Sequence, residues 1–87
     1  MPQDQYQART LPQLVAASAE THAERVAITD GDVTLTYAQL DAARREAGRA
    51  FLAAGLERGD RIAIWAPNMH QWIIAAIGAQ SIGAVLV

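Results

Sequence analysis

Two residue types are missing from this 87-residue chain, cysteine and lysine. Without cysteine no disulfide can supplement a small core, and no thiolate can hold a metal. The same absence is compatible with a reducing cytosol, and a cytoplasmic location is expected. All seven basic residues are arginine, so these residues cannot supply a lysine cation to any reaction. There is no block of basic residues and the net charge is -2, so no nucleic-acid surface is expected. Long apolar runs are missing too. The longest, Trp72 to Ala79, falls well short of the roughly 20 residues that cross a bilayer. The N-terminal stretch MPQDQYQART has no basic region followed by an apolar one, so no signal peptide is expected. The glycines form neither the Gly-x-Gly-x-x-Gly fingerprint nor a Walker loop.

What remains is a chain that is 52% hydrophobic and 18% charged, a balance that favours a folded state over disorder. Its length allows at most one small domain, which would bury only about 60% of the surface exposed in the unfolded chain. Residues 1–9 read as a disordered polar arm. Thr10 caps a helix beginning near Leu11, with Pro12 in its first turn. Leu11, Leu14, Val15, Ser18 and His22 fall on one face at helical spacing. Val26–Thr29 and Val33–Thr36 are β-branched runs around Asp30-Gly31-Asp32, the pattern of a hairpin. Thr36 and Gln39 fit a capping box for a long helix with Leu40, Ala43, Ala47, Ala50, Phe51 and Ala54 inward. Asp41 and Arg45 form a supporting pair on that helix, and Gly55 ends it.

The third part is Ile62-Ala63-Ile64-Trp65, which suits a strand buried on both faces. Pro67 breaks it and Asn68 caps a helix, Met69 to Ile82, that is apolar nearly all round. Gly83 ends that helix and Ala84–Val87 opens another buried strand. Strand, crossover helix and strand make a parallel pair. The fold class read from the sequence is therefore α/β: an amphipathic helix, a β-hairpin, a long helix, then a parallel β-α-β unit truncated in its last strand. Because Val87 falls inside that apolar run, residues 10–87 are expected to be an incomplete N-terminal α/β subdomain of a larger enzyme.

Candidate chemistry is sparse. Asp30 and Asp32 lack the spacing of a calcium loop and read as solvated turn residues. His22 closes a helix, where the dipole favours a cationic ring, and His70 sits in the first turn of another. Ser18 and Ser81 lie in no nucleophile elbow and read as small packing residues. Gly48 and Gly78, both mid-helix, read as close-packing sites, and Trp65 and Trp72 as core anchors. No residue is assigned a catalytic, cofactor-binding or metal-binding role.

The linear order nevertheless has a counterpart. Leu35-Thr36-Tyr37-Ala38-Gln39-Leu40 resembles the Leu-Thr/Ser-Tyr-x-Glu-Leu block of the adenylate-forming enzymes, with Gln39 in place of the acid. Gly55 to Asp60 followed by Arg61-Ile62-Ala63-Ile64 is similar to that family's Gly-Val-x-x-Gly-Asp-Arg-Val-Ala segment. Pro67-Asn68 and Ser81-Ile82-Gly83-Ala84-Val85-Leu86-Val87 are similar to its Pro-Asn and Ala-Gly-Ala-Val-x-Val-Pro segments. Trp72 and the stretch Ala63 to Asn68 are most similar to bacterial acyl-CoA ligases, of the medium-chain fatty-acid kind or acting on steroid-ring propanoate side chains.

The resemblance implies the large N-terminal domain of the adenylate-forming fold. It also implies an intact enzyme that activates a carboxylic acid with ATP and Mg2+ and passes the acyl adenylate to coenzyme A. The family's phosphate loop, adenine and ribose contacts and catalytic lysine would lie beyond Val87, so the 87 residues alone are expected to be inactive and to bind none of these cofactors. A carrier protein in place of coenzyme A is the related alternative. A stand-alone scaffold or interaction module that self-associates through Ala84, Val85, Leu86 and Val87 is the alternative from another class.

Overall fold

The structure, a computed structural model, describes residues 10–87, so the polar arm expected over residues 1–9 lies outside the described residues. Helix α1 (Leu11–Thr21) starts as the sequence predicts. Thr10 is extended and its hydroxyl accepts the Gln13 N–H at 3.3 Å. The helix closes where the His22 N–H donates to the Ser18 carbonyl. Its buried residues are Pro12 and Val15, whereas Leu11 and Leu14 are about half exposed. The inward face is thus rotated from the predicted stripe. Ala16, Ala19 and Glu20 border a shallow cleft shared with Ala38, Asp41 and Ala42 of the next helix.

Strands β1 (Val26–Asp30) and β2 (Val33–Thr36) pair antiparallel, with Asp30 opposite Val33 and a bulge at Ala27. The turn is therefore Gly31-Asp32 alone. Gly31 has φ +61° and Asp32 does not share that sign. Positive φ at only the first turn residue is the II′ pattern, which suits the twist of the flanking strands. The strand runs one residue beyond the predicted Thr29, and this takes Asp30 out of the turn.

Helix α2 (Tyr37–Ala53) has its first N–H groups accounted for. Tyr37 N–H donates to the Arg25 carbonyl, Ala38 N–H to the Ala23 carbonyl and Gln39 N–H to the Thr36 hydroxyl. Gln39 Oε1 accepts the Thr36 N–H in return, which completes the predicted capping box. At the other end Gly55 has φ +97°, with Leu56 N–H donating to the Phe51 carbonyl and Gly55 N–H to that of Leu52. This is the Schellman closure expected of a C′ glycine. The buried residues are Leu40, Asp41 and Gly48, while Ala50 and Ala54 are exposed, so the predicted alanine face covers the core only in part.

Strands β3 (Arg61–Ile62) and β4 (Val85–Leu86) pair in parallel, Arg61 opposite Val85 and Ile62 opposite Leu86. Helix α3 (Met69–Ser81) is the crossover between them. The pair is shorter than the sequence predicts, because β4 offers a ladder only as far as Val87, whose N–H donates to the Ile62 carbonyl. Beyond that point Ala63 to Trp65 leave the sheet, and Trp65 is 90% exposed instead of anchoring the core. Trp72 is 44% exposed. The turn Ala76, Ile77, Gly78 and Ala79 of α3 is buried around most of its circumference, as the sequence predicts. Met69 and Trp72 stand uncovered among the described residues, so the first turns of the helix are not enclosed.

The core is small. Val15 of α1, Leu40 of α2 and Ile77 of α3 meet, flanked by Ala27, Ile28, Ile73 and Ile74. Helices α2 and α3 touch backbone to backbone where Gly48 and Gly78 face each other. A methyl group on Gly78 would fall 2.6 Å from the Ala47 Cβ and 3.0 Å from the Arg44 carbonyl oxygen, and one on Gly48 would lie 3.3 Å from the Gly78 carbonyl oxygen. Both glycines are the close-packing positions that the sequence suggests.

Candidate functional site

Two polar clusters hold the elements in place. In the first, the Asp30 carboxylate at the end of β1 reaches the first turn of α3. Its Oδ2 accepts the His70 backbone N–H at 3.0 Å and lies 2.8 Å from His70 Nδ1. An ionised carboxylate only accepts, so Nδ1 carries the proton. The hydrogen bond from the His70 backbone, then that from its ring, hold the Asp30 carboxyl below the ordinary aspartate value of 3.8. Asn68 Oδ1 takes the Gln71 N–H at 3.2 Å as the predicted cap. The start of α3 is where a parallel α/β unit would often seat a phosphate. Here Asp30 and Asn68 accept the His70 and Gln71 N–H groups with the chain's own oxygens, which makes it a joint between the hairpin and α3.

In the second cluster, Asp41 of α2 is 5% exposed and holds two arginines. Arg44 Nε and Nη2 both reach Asp41 Oδ1 at 2.7 Å, and Arg45 Nη2 reaches Oδ2 at 2.6 Å. Arg44 Nη1 donates to the Ser81 hydroxyl at 3.2 Å, and that hydroxyl donates to the Ile77 carbonyl at 2.8 Å. The arrangement ties α2 to the last turn of α3. It also gives Ser81 a structural role, since its proton is already directed to a carbonyl.

The predicted Asp41–Arg45 pair is therefore present, but the partner that matters more is Arg44, which is largely buried. The Asp30–His70 contact joins residues 40 positions apart, and no local pattern in the sequence announces it. His22 is exposed at the end of α1, and Asp32 is an exposed turn residue as expected. No group of three or more His, Cys, Asp or Glu side chains able to hold a metal occurs among the described residues. Ser81 belongs to the second cluster and makes no hydrogen bond to the Asp30–His70 pair. No helix among the described residues is long and apolar enough to cross a membrane.

This arrangement has close counterparts in known proteins. The profile of the AMP-binding enzyme family matches residues 15–87. The chain is 37% identical over 81 residues to 3-[(3aS,4S,7aS)-7a-methyl-1,5-dioxo-octahydro-1H-inden-4-yl]propanoyl:CoA ligase from Rhodococcus jostii (strain RHA1), a match covering 93% of this chain and 16% of the relative. It is 33% identical over 84 residues to the mitochondrial medium-chain acyl-CoA ligase ACSF2 of Danio rerio, covering 93% of this chain and 14% of that one. Among solved structures, the N-terminal domain of FACL13 from Mycobacterium tuberculosis superposes with a TM-score of 0.83 at 28% identity, over 90% of this chain and 20% of that one. The chain thus spans about one-sixth of the length of the curated relatives it matches. Helix, hairpin, capped long helix and parallel β-α-β unit follow one another as in these N-terminal domains, and the chain belongs to the AMP-binding enzyme family.

Proposed function

We propose that residues 10–87 are an incomplete opening subdomain of an AMP-forming acyl-CoA ligase. The whole protein would activate a carboxylic acid with ATP and transfer the acyl group from the adenylate to coenzyme A. The observation that carries this reading is the family match over residues 15–87, joined to relatives that are themselves acyl-CoA ligases. Magnesium would neutralise charge on the ATP phosphates, and hydrogen-bond donors would stabilise the transition state. None of these groups is assigned to a residue of this chain. The chain's own contribution is architectural: α1, α2 and the hairpin hold α3 and the parallel strands in register. The acid would be a fatty acid or a propanoate side chain on a fused ring, as the relatives' names suggest. Reaction in the cytoplasm fits the absence of cysteine.

A graft tests the reading. These residues would replace the matching segment of the Rhodococcus ligase, and ATP–pyrophosphate exchange and CoA ester formation would be measured. Retained activity is expected. A chimera that melts like its parent but no longer forms the adenylate would overturn the proposal. The 87 residues alone are expected to give no exchange above a heat-killed control.

A second reading rests on the uncovered apolar surface. Trp65, Met69 and Trp72 are exposed, as are Val85 and Val87 around β4. Self-association through Ala84, Val85, Leu86 and Val87 would cover part of it. Sedimentation of the 87 residues across a concentration series separates a defined dimer from a single copy.

A further inference from the structure

We propose that the cleft between the start of α1 and the end of α3 is an anion site, which takes the phosphate group of a small molecule on Arg44 and Arg58. The cleft has a volume of about 520 Å³, within the range of small-molecule sites. Among the described residues no carboxylate lines it, whereas the guanidinium-bearing residues Arg44 and Arg58 both do. The local charge is positive. Asp41 balances the charge of Arg44, and Arg45, its other partner, lies outside this lining. Arg58 therefore supplies the net positive charge, since no ion pair to it occurs among the described residues. Guanidinium forks match phosphate oxygens in geometry.

Both arginines are held toward the cleft. Arg44 is fixed by Asp41 and by the Ser81 hydroxyl, and these contacts engage Nε and only part of the donor capacity of its two terminal nitrogens. Arg58 lays its stem over Gly83. A methyl group there would fall 2.7 Å from the Arg58 Cγ and 3.4 Å from its Cβ and Cδ, and the backbone at Gly83 has φ +81°. Glycine is thus required at position 83 by its conformation and by the arginine above it.

The negative end of α3 also borders the cleft, and three of its carbonyls are taken within the chain. The Ile77 carbonyl takes the Ser81 hydroxyl, the Ala79 carbonyl takes the N–H groups of Ile82 and Ala84, and the Gln80 carbonyl takes that of Gly83. The acids nearest Arg58 in sequence, Glu57 and Asp60, lie in its own turn outside the lining, and Asp60 Oδ2 is taken by the Glu57 N–H. Pro12, Ala16 and Ile82 supply apolar walls, with room for the organic part of a phosphate ester.

The test is an NMR titration of the 87-residue chain with phenyl phosphate and, separately, inorganic phosphate at constant ionic strength. Saturable shifts are expected at the Gly83 and Ser81 amides and at the Nε–H of Arg44 and Arg58. Arg58→Gln should weaken binding about tenfold, the scale of one charge-assisted contact. Arg49→Gln, an exposed arginine outside the cleft, should leave it unchanged. Tighter binding of phenyl phosphate assigns an organic phosphate, and equal binding assigns free phosphate. Shifts that do not saturate, or that Arg58→Gln and Arg49→Gln diminish alike, overturn the site.

Discussion

The carboxylate of Asp30 accepts both the backbone N–H and the ring Nδ1–H of His70, and so fastens the β1–β2 hairpin to the first turn of α3. Because these bonds favour the ionised form, the folded-state pKa of Asp30 lies below its ordinary value. The stabilisation is present above the ordinary carboxylate pKa and is lost as pH falls through the folded-state value. Asp30→Ala should therefore lower Tm near neutral pH, and the gap between variant and parent should narrow as the solution is made acid. A gap that is constant across the carboxylate range would contradict the ionic part of the joint.

Gly78→Ala should destabilise the fold despite raising helix propensity. The added methyl meets the Ala47 Cβ and the Arg44 carbonyl oxygen, neither of which can move without displacing α2. Overpacking of this kind costs about 1–3 kcal/mol, against a propensity gain of roughly 1 kcal/mol. Gly48→Ala has a longer nearest approach, 3.3 Å, and should cost less. Urea denaturation of the two variants gives the order directly.

Asp41→Ala leaves Arg44 largely buried without its carboxylate. The expected loss is about 1.5–3 kcal/mol, the scale of hydrogen bonds to a charged group. Arg45→Ala removes the other, exposed partner and should cost no more than about 1 kcal/mol. Equal losses from the two substitutions would show that the buried half of the cluster has no special weight.

Trp65→Ser should change stability by less than about 0.5 kcal/mol, because the indole is exposed. It should also reduce binding of a hydrophobic dye and any concentration-dependent association. A large loss of stability would mean that Trp65 packs against something within the chain.

The order of elements could be read from local signals. Thr10, Thr36 and Asn68 each cap a helix through their side-chain oxygen, and Gly55 ends one at positive φ. These are short-range effects that the sequence states outright. The faces were less legible. Asp41 lies beside the predicted alanine stripe and is nevertheless buried, with Arg44 and Arg45 neutralising it. Strand β3 stops at Ile62 although the apolar run continues, since a strand needs a neighbour as well as a composition. Asp30–His70 and Arg44–Ser81 depend on tertiary approach and leave no spacing to find.

The base of the hairpin supplies the carbonyls of Ala23 and Arg25 to the opening amides of α2. Peeling the hairpin away would strand those amides, and fraying the helix would strip the hairpin of its anchor. Amide exchange at Tyr37 and Ala38 should accordingly track that of β2, so that a ribbon and a helix adjoining in the chain open together as one foldon.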